Sequence, residues 1–286
     1  MGGLESQRLW TGQDDGGAAK YSPSVAWKPG SFTNEGGVSS SADRGSVSSQ
    51  NHARPSREAP LNRVLHIGAG GWDYLASGGD RLRAYARLFD FAEVNATFYH
   101  LPRLSTVRSW RRRAPPGFTF AVKCNRRATH DLSLRAEEET YRVLERMAEA
   151  MRLLRSWMLV LQTPPSLPLD TVKVREVGEL IRGAALGGVS VFWEARTPLN
   201  PGKLRGVRTE MIRTGVTPVV DLGREAPVEG AHALYSRLFG SAPLTDESLR
   251  LIDERVRLSG SEVVVLSFHG AAMYKDAHRF KTLKGQ

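Results

Sequence analysis

The chain has 286 residues, 41% hydrophobic and 24% charged, with 40 Lys and Arg against 30 Asp and Glu for a net charge of +10. That is enough apolar material for one large α/β domain or two small ones, and a single cysteine, Cys124, excludes an internal disulfide. No charged start precedes an apolar leader segment, and no apolar run approaches the roughly 18 residues of a membrane span, so the sequence predicts a soluble, cytoplasmic protein with no membrane partner.

Residues 1–60 are rich in Gly and Ser, as in Gly36-Gly37-Val38-Ser39-Ser40-Ser41, and show neither helical nor strand periodicity. They are expected to be a disordered tail; the alternative is that translation starts near Leu61 or Val64. The tail holds six basic and six acidic residues, so the whole positive excess belongs to residues 61–286, the expected folded domain.

From residue 64 onward, short apolar runs alternate with amphipathic segments, the pattern of parallel βα units. Eight strands are predicted: Val64–Gly68, Phe91–Asn95, Phe118–Lys123, Met158–Gln162, Val189–Glu194, Thr217–Asp221, Ala233–Phe239 and Val263–Phe268. Helices are expected around 79–89, 104–114, 134–155, 171–183, 201–214, 245–259 and 274–283. The connection Leu222–Gly230 is too short and too rich in Gly and Pro for one. Eight strands in this length fit an α/β fold of the TIM-type (β/α)8 barrel with one helix missing. A dinucleotide-binding fold competes weakly: Gly68-Ala69-Gly70 follows the first strand and Glu93 ends the second, but the third glycine is replaced by Asp73.

Within the second strand, Glu93 and Asn95 are two apart, which predicts that both share one face with Phe91. A carboxylate and an amide at a strand end suggest a site; the plainer alternative is a buried carboxylate held by an architectural arginine. Between Arg103 and Arg127 lie eight basic residues and no acidic one, a composition suited to phosphate or an acidic partner, or to a solvated helix face.

Several motifs together resemble the YecE-like family, also called domain of unknown function 72. They are Ile67-Gly68-Ala69-Gly70-Gly71-Trp72-Asp73-Tyr74, then Glu93, Asn95, Thr97, Phe98 and Tyr99, followed by Pro116-Gly117-Phe118 with Phe120 and Lys123. Thr129-His130, Gln162-Thr163-Pro164-Pro165-Ser166, Glu194-Ala195-Arg196 and Asp276-Ala277 complete the set, over residues 65–283. The resemblance implies a TIM-type barrel with no established activity. The chain departs from that pattern twice: Arg237-Leu238-Phe239-Gly240 stands where Arg-Leu-His-Gly is common, and Ser267-Phe268-His269 where the eighth strand usually ends in Asn.

In such a barrel the active site lies at the carboxyl ends of the strands. Those ends assemble Glu93, Asn95, Lys123 and Glu194 as candidate catalytic groups. Tyr99, Gln162, Arg196, Asp221, Arg237 and His269 are candidate ligand contacts, with His130 in a loop. Glu194 and Arg196 share a strand face and would pair; Lys123 would do the same with Glu93. The mouth is expected to bind a phosphorylated or otherwise anionic ligand, with Lys123, Arg196 and Arg237 as clamp, and hydrolysis of a phosphoester or nucleic acid is one reading. Metal spacings are lacking, which leaves room for a single divalent ion at most. Lys123 as a Schiff-base former and Glu93 with Glu194 as a glycosidase pair are further readings. Against all of these stands a protein that binds nucleic acid through residues 103–127 without turnover. Cys124, beside Lys123, would carry a lowered pKa if exposed. The segment His269-Gly270-Ala271-Ala272 would place a phosphate on the last helix, unless Gly270 merely turns the chain.

Overall fold

Continuous apolar runs mark strands covered on both faces, and here they curl into a nearly closed barrel. The computed structural model describes residues 63–285, so the tail expected over 1–60 and the alternative start near Leu61 lie outside the described residues. Its strands are β1 (Val64–Ala69), β2 (Phe91–Val94), β3 (Thr119–Lys123), β4 (Met158–Thr163), β5 (Ser190–Ala195), β6 (Val216–Val220), β7 (Ala233–Gly240) and β8 (Val263–Gly270). All ladders are parallel, in the order β1-β8-β7-β6-β5-β4-β3-β2. Sequential strands are therefore neighbours, as a (β/α)8 barrel requires.

The outer layer comprises α1 (Arg81–Tyr85), α2 (Ala96–Tyr99), α3 (Leu104–Arg113), α4 (Glu138–Leu154), α5 (Thr171–Gly183), α6 (Pro201–Arg213), α7 (Asp246–Leu258) and α8 (Met273–Leu283). Four of them, α1, α5, α6 and α7, start on a capping side chain. Asp170 accepts the Lys173 N–H at 2.8 Å, Asn200 that of Lys203 at 2.9 Å, and Thr245 that of Ser248 at 3.1 Å. Pro201 sits in the first turn of α6, where no N–H is needed. Between β6 and β7 the Asp221 carboxylate accepts the Gly223 N–H at 2.9 Å and closes a turn in place of a helix. Among the described residues no helix is long and apolar enough to cross a membrane.

β1 and β2, the two ends of that order, approach each other at the seam of a nearly closed barrel. A Cβ on Gly68 would lie 2.6 Å from the Phe91 carbonyl, so only glycine admits this approach. The Tyr85 hydroxyl takes the Ala69 N–H at 2.7 Å and donates back to the Ala69 carbonyl at 3.3 Å, satisfying β1 backbone groups at this seam.

Inside the barrel, residues two apart on each strand rise in layers. The lower layer is aromatic: His66, Phe91, Trp157, Phe192 and Tyr235 contact one another with ring centroids 4.9–6.4 Å apart. One step up the same strand faces stand Glu93, Glu194 and Arg237. The lumen is thus plugged below and polar above.

Candidate functional site

Tyr235 joins the two layers. Its ring packs against Phe91 and Phe192, while its hydroxyl donates to Glu93 Oε2 at 2.8 Å across the lumen from β7 to β2. Burial, reinforced by the Glu93 charge, pushes the phenol well above its ordinary pKa, so it remains a donor. Glu93 is fully buried, and its second oxygen lies 3.1 Å from Arg237 Nη2, close enough for an ion pair but not aligned as a hydrogen bond.

Arg237, 1% exposed, is the hub of the cluster. Its Nη1 donates to Glu194 Oε2, and its Nε donates to His269 Nε2 at 3.3 Å. Glu194 also accepts Gln162 Nε2 at 3.2 Å and Arg196 Nε at 2.8 Å. His269 Nε2 lies 3.0 Å from Ser267 Oγ and 3.8 Å from Glu93 Oε2. Because a guanidinium only donates, His269 Nε2 must accept from Arg237, which places the neutral ring's proton on Nδ1. Gly70 makes room for that ring: a Cβ there would stand 2.2 Å from His269 Nδ1.

A second group rings the mouth from β3 and the loop after it. Lys123 Nζ sits 4.2 Å above the centre of the Phe98 ring, which also meets Tyr99 and His130 edge-on, each at 5.1 Å. His130 Nδ1 is 2.9 Å from Thr129 Oγ1. Burial lowers the His130 pKa, and the charges of Arg126, Lys123 and Arg196 lower it further, so the ring stays neutral beside three cations. Tyr99 is 41% exposed and offers the rim an aromatic face.

Seven of the ten predicted site residues therefore belong to these two linked groups by direct contact: Glu93, Lys123, Tyr99, Gln162, Glu194, Arg196 and Arg237. His269 makes an eighth. The pairing of Glu194 with Arg196 is observed, and so is an arginine holding Glu93, namely Arg237. As an anion clamp Arg237 is a correction to expectation, because its guanidinium is spent on two carboxylates. Asp221 serves its own turn, pairing with Arg224 at 3.4 Å; burial raises its pKa.

Asn95 departs from the predicted geometry. β2 ends at Val94, and Asn95 has φ −83° and ψ −19°, so strand alternation no longer governs its direction. It precedes α2 in the position where Asn usually caps, yet makes no capping bond. Its amide is fully buried, with neither Oδ1 nor Nδ2 hydrogen-bonded among the described residues. Orphaned amide groups of this kind cost about 1–3 kcal/mol each unless something fills them.

Other residues singled out in the sequence take architectural roles. Cys124 is buried, and burial pushes its thiol up to about 12, so it is no activated nucleophile. Gly270 has φ +107°, and a Cβ on it would fall 2.1 Å from the Gly240 carbonyl, so it turns the chain where β7 and β8 end. Asp276 accepts the Leu244 N–H at 3.1 Å and pairs with Arg279 at 3.0 Å, an architectural tie. The loop after β1 opens no helix on a pyrophosphate; its Trp72 packs on Trp110 at 5.6 Å. The basic run 103–127 is not one surface. Arg111 donates to the Phe118 and Pro115 carbonyls, and Arg127 is locked to Glu139 at 2.8 Å. α3 carries Arg111, Arg112 and Arg113 to the barrel's opposite end from Lys123.

Among the described residues no three His, Cys, Asp or Glu side chains gather as metal ligands would. Both carboxylates of the cluster already face guanidinium groups, a poor setting for a cation. Tyr235 and Ser267 were missed from the sequence, although each stands two residues before a predicted member on the same strand face.

A family profile described as "Protein of unknown function DUF72" matches residues 66–275. Among solved structures, a DUF72 family protein of Thermotoga maritima aligns with TM-score 0.62 at 18% identity, over 78% of this chain and 100% of its own. One from Enterococcus faecalis gives 0.62 at 14%, over 78% and 98%. A 3-keto-D-glucoside 4-epimerase of E. coli gives 0.51 at 14%, over 76% and 99%. At these identities the structures speak for the fold alone. No curated protein matches the sequence. The two departures noted above, Phe239 and His269, prove to be cross-strand partners with stacked rings 5.0 Å apart.

Proposed function

The chain belongs to the DUF72 family of proteins of unknown function, and from its barrel mouth we propose that it binds a small, hydroxyl-bearing anion of the size of a sugar acid or sugar phosphate and acts on it by proton transfer at Glu93. The observation that carries this reading is Asn95: a fully buried amide, at the end of the strand that bears Glu93, with an unfilled donor and an unfilled acceptor. An amide in that state suits a hydroxyl group, which donates and accepts at once.

The anionic character follows from the rim. The charges of buried Lys123, of Arg126 and of Arg196 all bear on His130, although Arg126 also pairs with Asp131 and Arg196 with Glu194; Arg237 is held between Glu93 and Glu194. Tyr99 supplies an exposed ring face of the kind that packs on a sugar. That a sugar epimerase shares the fold agrees with a ligand of this size, without lending its chemistry. Glu93 is the proton-transfer group because Tyr235 and Arg237 fix its position. Phosphoester hydrolysis is the less favoured reading, since the carboxylates it would lend to a metal are taken by arginines.

Thermal shifts of the full chain against sugar acids, sugar phosphates, neutral sugars and inorganic phosphate test this. Stabilisation by an anionic sugar is expected, about 2.7 kcal/mol at a hundred times Kd, and Asn95→Leu should abolish it. Glu93→Gln should retain binding but lose turnover. A panel in which no anionic sugar stabilises the protein, or in which Asn95→Leu responds like the wild type, would sink the proposal.

A further inference from the structure

The amino-terminal end of the barrel carries a cationic feature that the mouth does not use. Arg83 and Arg87, from α1 and the turn after it, face Arg112 and Arg113 of α3 across an open depression of about 410 Å³ with Ala114 and Pro115 in its lining. The segments that line it lead directly into β2 and β3, which places it at the opposite end of the barrel from Glu93.

The charge there is poorly balanced. The carboxylate described against these four arginines is Asp80, 3.2 Å from Arg113 and 3.7 Å from Arg83. Behind them Arg111 is occupied by backbone carbonyls, and burial together with the nearby charge of Arg155 lowers its pKa, a sign of the local positive field. Arg83, Arg87, Arg108 and Arg112 are exposed. Arg108 and Arg112 are four apart on α3, where like charges repel and cost a helix some stability, so that pair is not one that packing favours.

The chemistry of the lining suits an oxyanion such as phosphate. Guanidinium forks match phosphate oxygens in pairs. The depression has no aromatic side chain on which a base could stack and no amide or carboxylate to read a base edge. Its openness, and the continuation of the arginine stripe up α3 to Arg108, suit a run of phosphates better than one enclosed anion. We propose that this end of the barrel is a sequence-independent binding surface for the sugar-phosphate backbone of nucleic acid, with Arg83, Arg87, Arg108 and Arg112 as its contacts.

Fluorescence anisotropy of the full chain with a short labelled DNA duplex, titrated with salt, tests it. Three or four neutralised phosphates predict a slope of log K against log salt near −3. Arg87→Ala/Arg112→Ala should flatten that slope by about 2, with an unchanged circular dichroism spectrum because both side chains are exposed. Duplexes of unrelated sequence should bind alike. Binding without salt dependence, a slope that the double variant leaves intact, or displacement of the duplex by inorganic phosphate at equal phosphate concentration would each overturn the proposal.

Discussion

Replacing Arg237 with Met is the sharpest probe of the cluster's architecture. The guanidinium is 1% exposed and lies against two carboxylates: Glu93, fully buried at 3.1 Å, and Glu194, whose side chain is 15% exposed. Glu194 keeps Arg196 and Gln162 when Arg237 is lost, whereas Glu93 keeps only the neutral Tyr235 hydroxyl and the distant His269. One buried carboxylate is therefore stranded, at a cost of about 3–5 kcal/mol. In a domain of this size each kcal/mol moves Tm by roughly 2–4 °C, so the variant should melt on the order of 10 °C below wild type. Adding Glu93→Gln to Arg237→Met removes the stranded charge and should restore most of the loss. Urea unfolding and calorimetry measure both variants. A single variant within about 1 kcal/mol of wild type would show that the charges are solvated and the cluster is not the closed network described.

Two further predictions concern groups that titrate far from their ordinary range. Burial pushes the His66 imidazole down to about 4, so between about pH 4 and 6.5 the unfolded chain binds a proton that the folded chain refuses. Stability is then full above that window and falls as pH drops through it, by about 3 kcal/mol for this residue. His66→Leu should flatten the urea-midpoint profile from pH 7 to 4 by that amount; an unchanged slope would contradict the assignment. Cys124, buried with its thiol raised to about 12, should resist a thiol reagent at pH 8 in the native protein and react fully in denaturant. Rapid native reaction would show the β3 end to be open.

The sequence predicts the eight strands and the helix-free β6–β7 connection because parallel strands buried on both faces read as continuous apolar runs bounded by Gly and Pro. Shorter features escaped. α2 spans four residues, and the π-helical turn Arg127–Asp131 leads into Ser133 and Leu134 at φ +53° and +51°, so α4 starts at Glu138 and not near 134. No periodicity announces such turns. In the site, strand alternation found Glu93, Glu194 and Arg237, and applied one step down β7 and β8 it would have found Tyr235 and Ser267. What it could not supply is the partner each charge chooses. Arg237 was expected to face a ligand; two carboxylates on different strands took it, an outcome fixed by packing across the lumen. Asn95 looked like a strand residue because β2 runs on in pattern up to Val94, and only the backbone turn at 95 shows otherwise.

A high-resolution crystal structure of the full chain soaked with whichever anionic sugar stabilises it most tests the account at its centre. The ligand's hydroxyl is expected between Asn95 Oδ1 and Nδ2, its anionic group toward Lys123 and Arg196, and a ligand hydrogen within proton-transfer reach of Glu93. A mouth holding only ordered water, with the Asn95 amide satisfied by solvent or by protein groups, would contradict it.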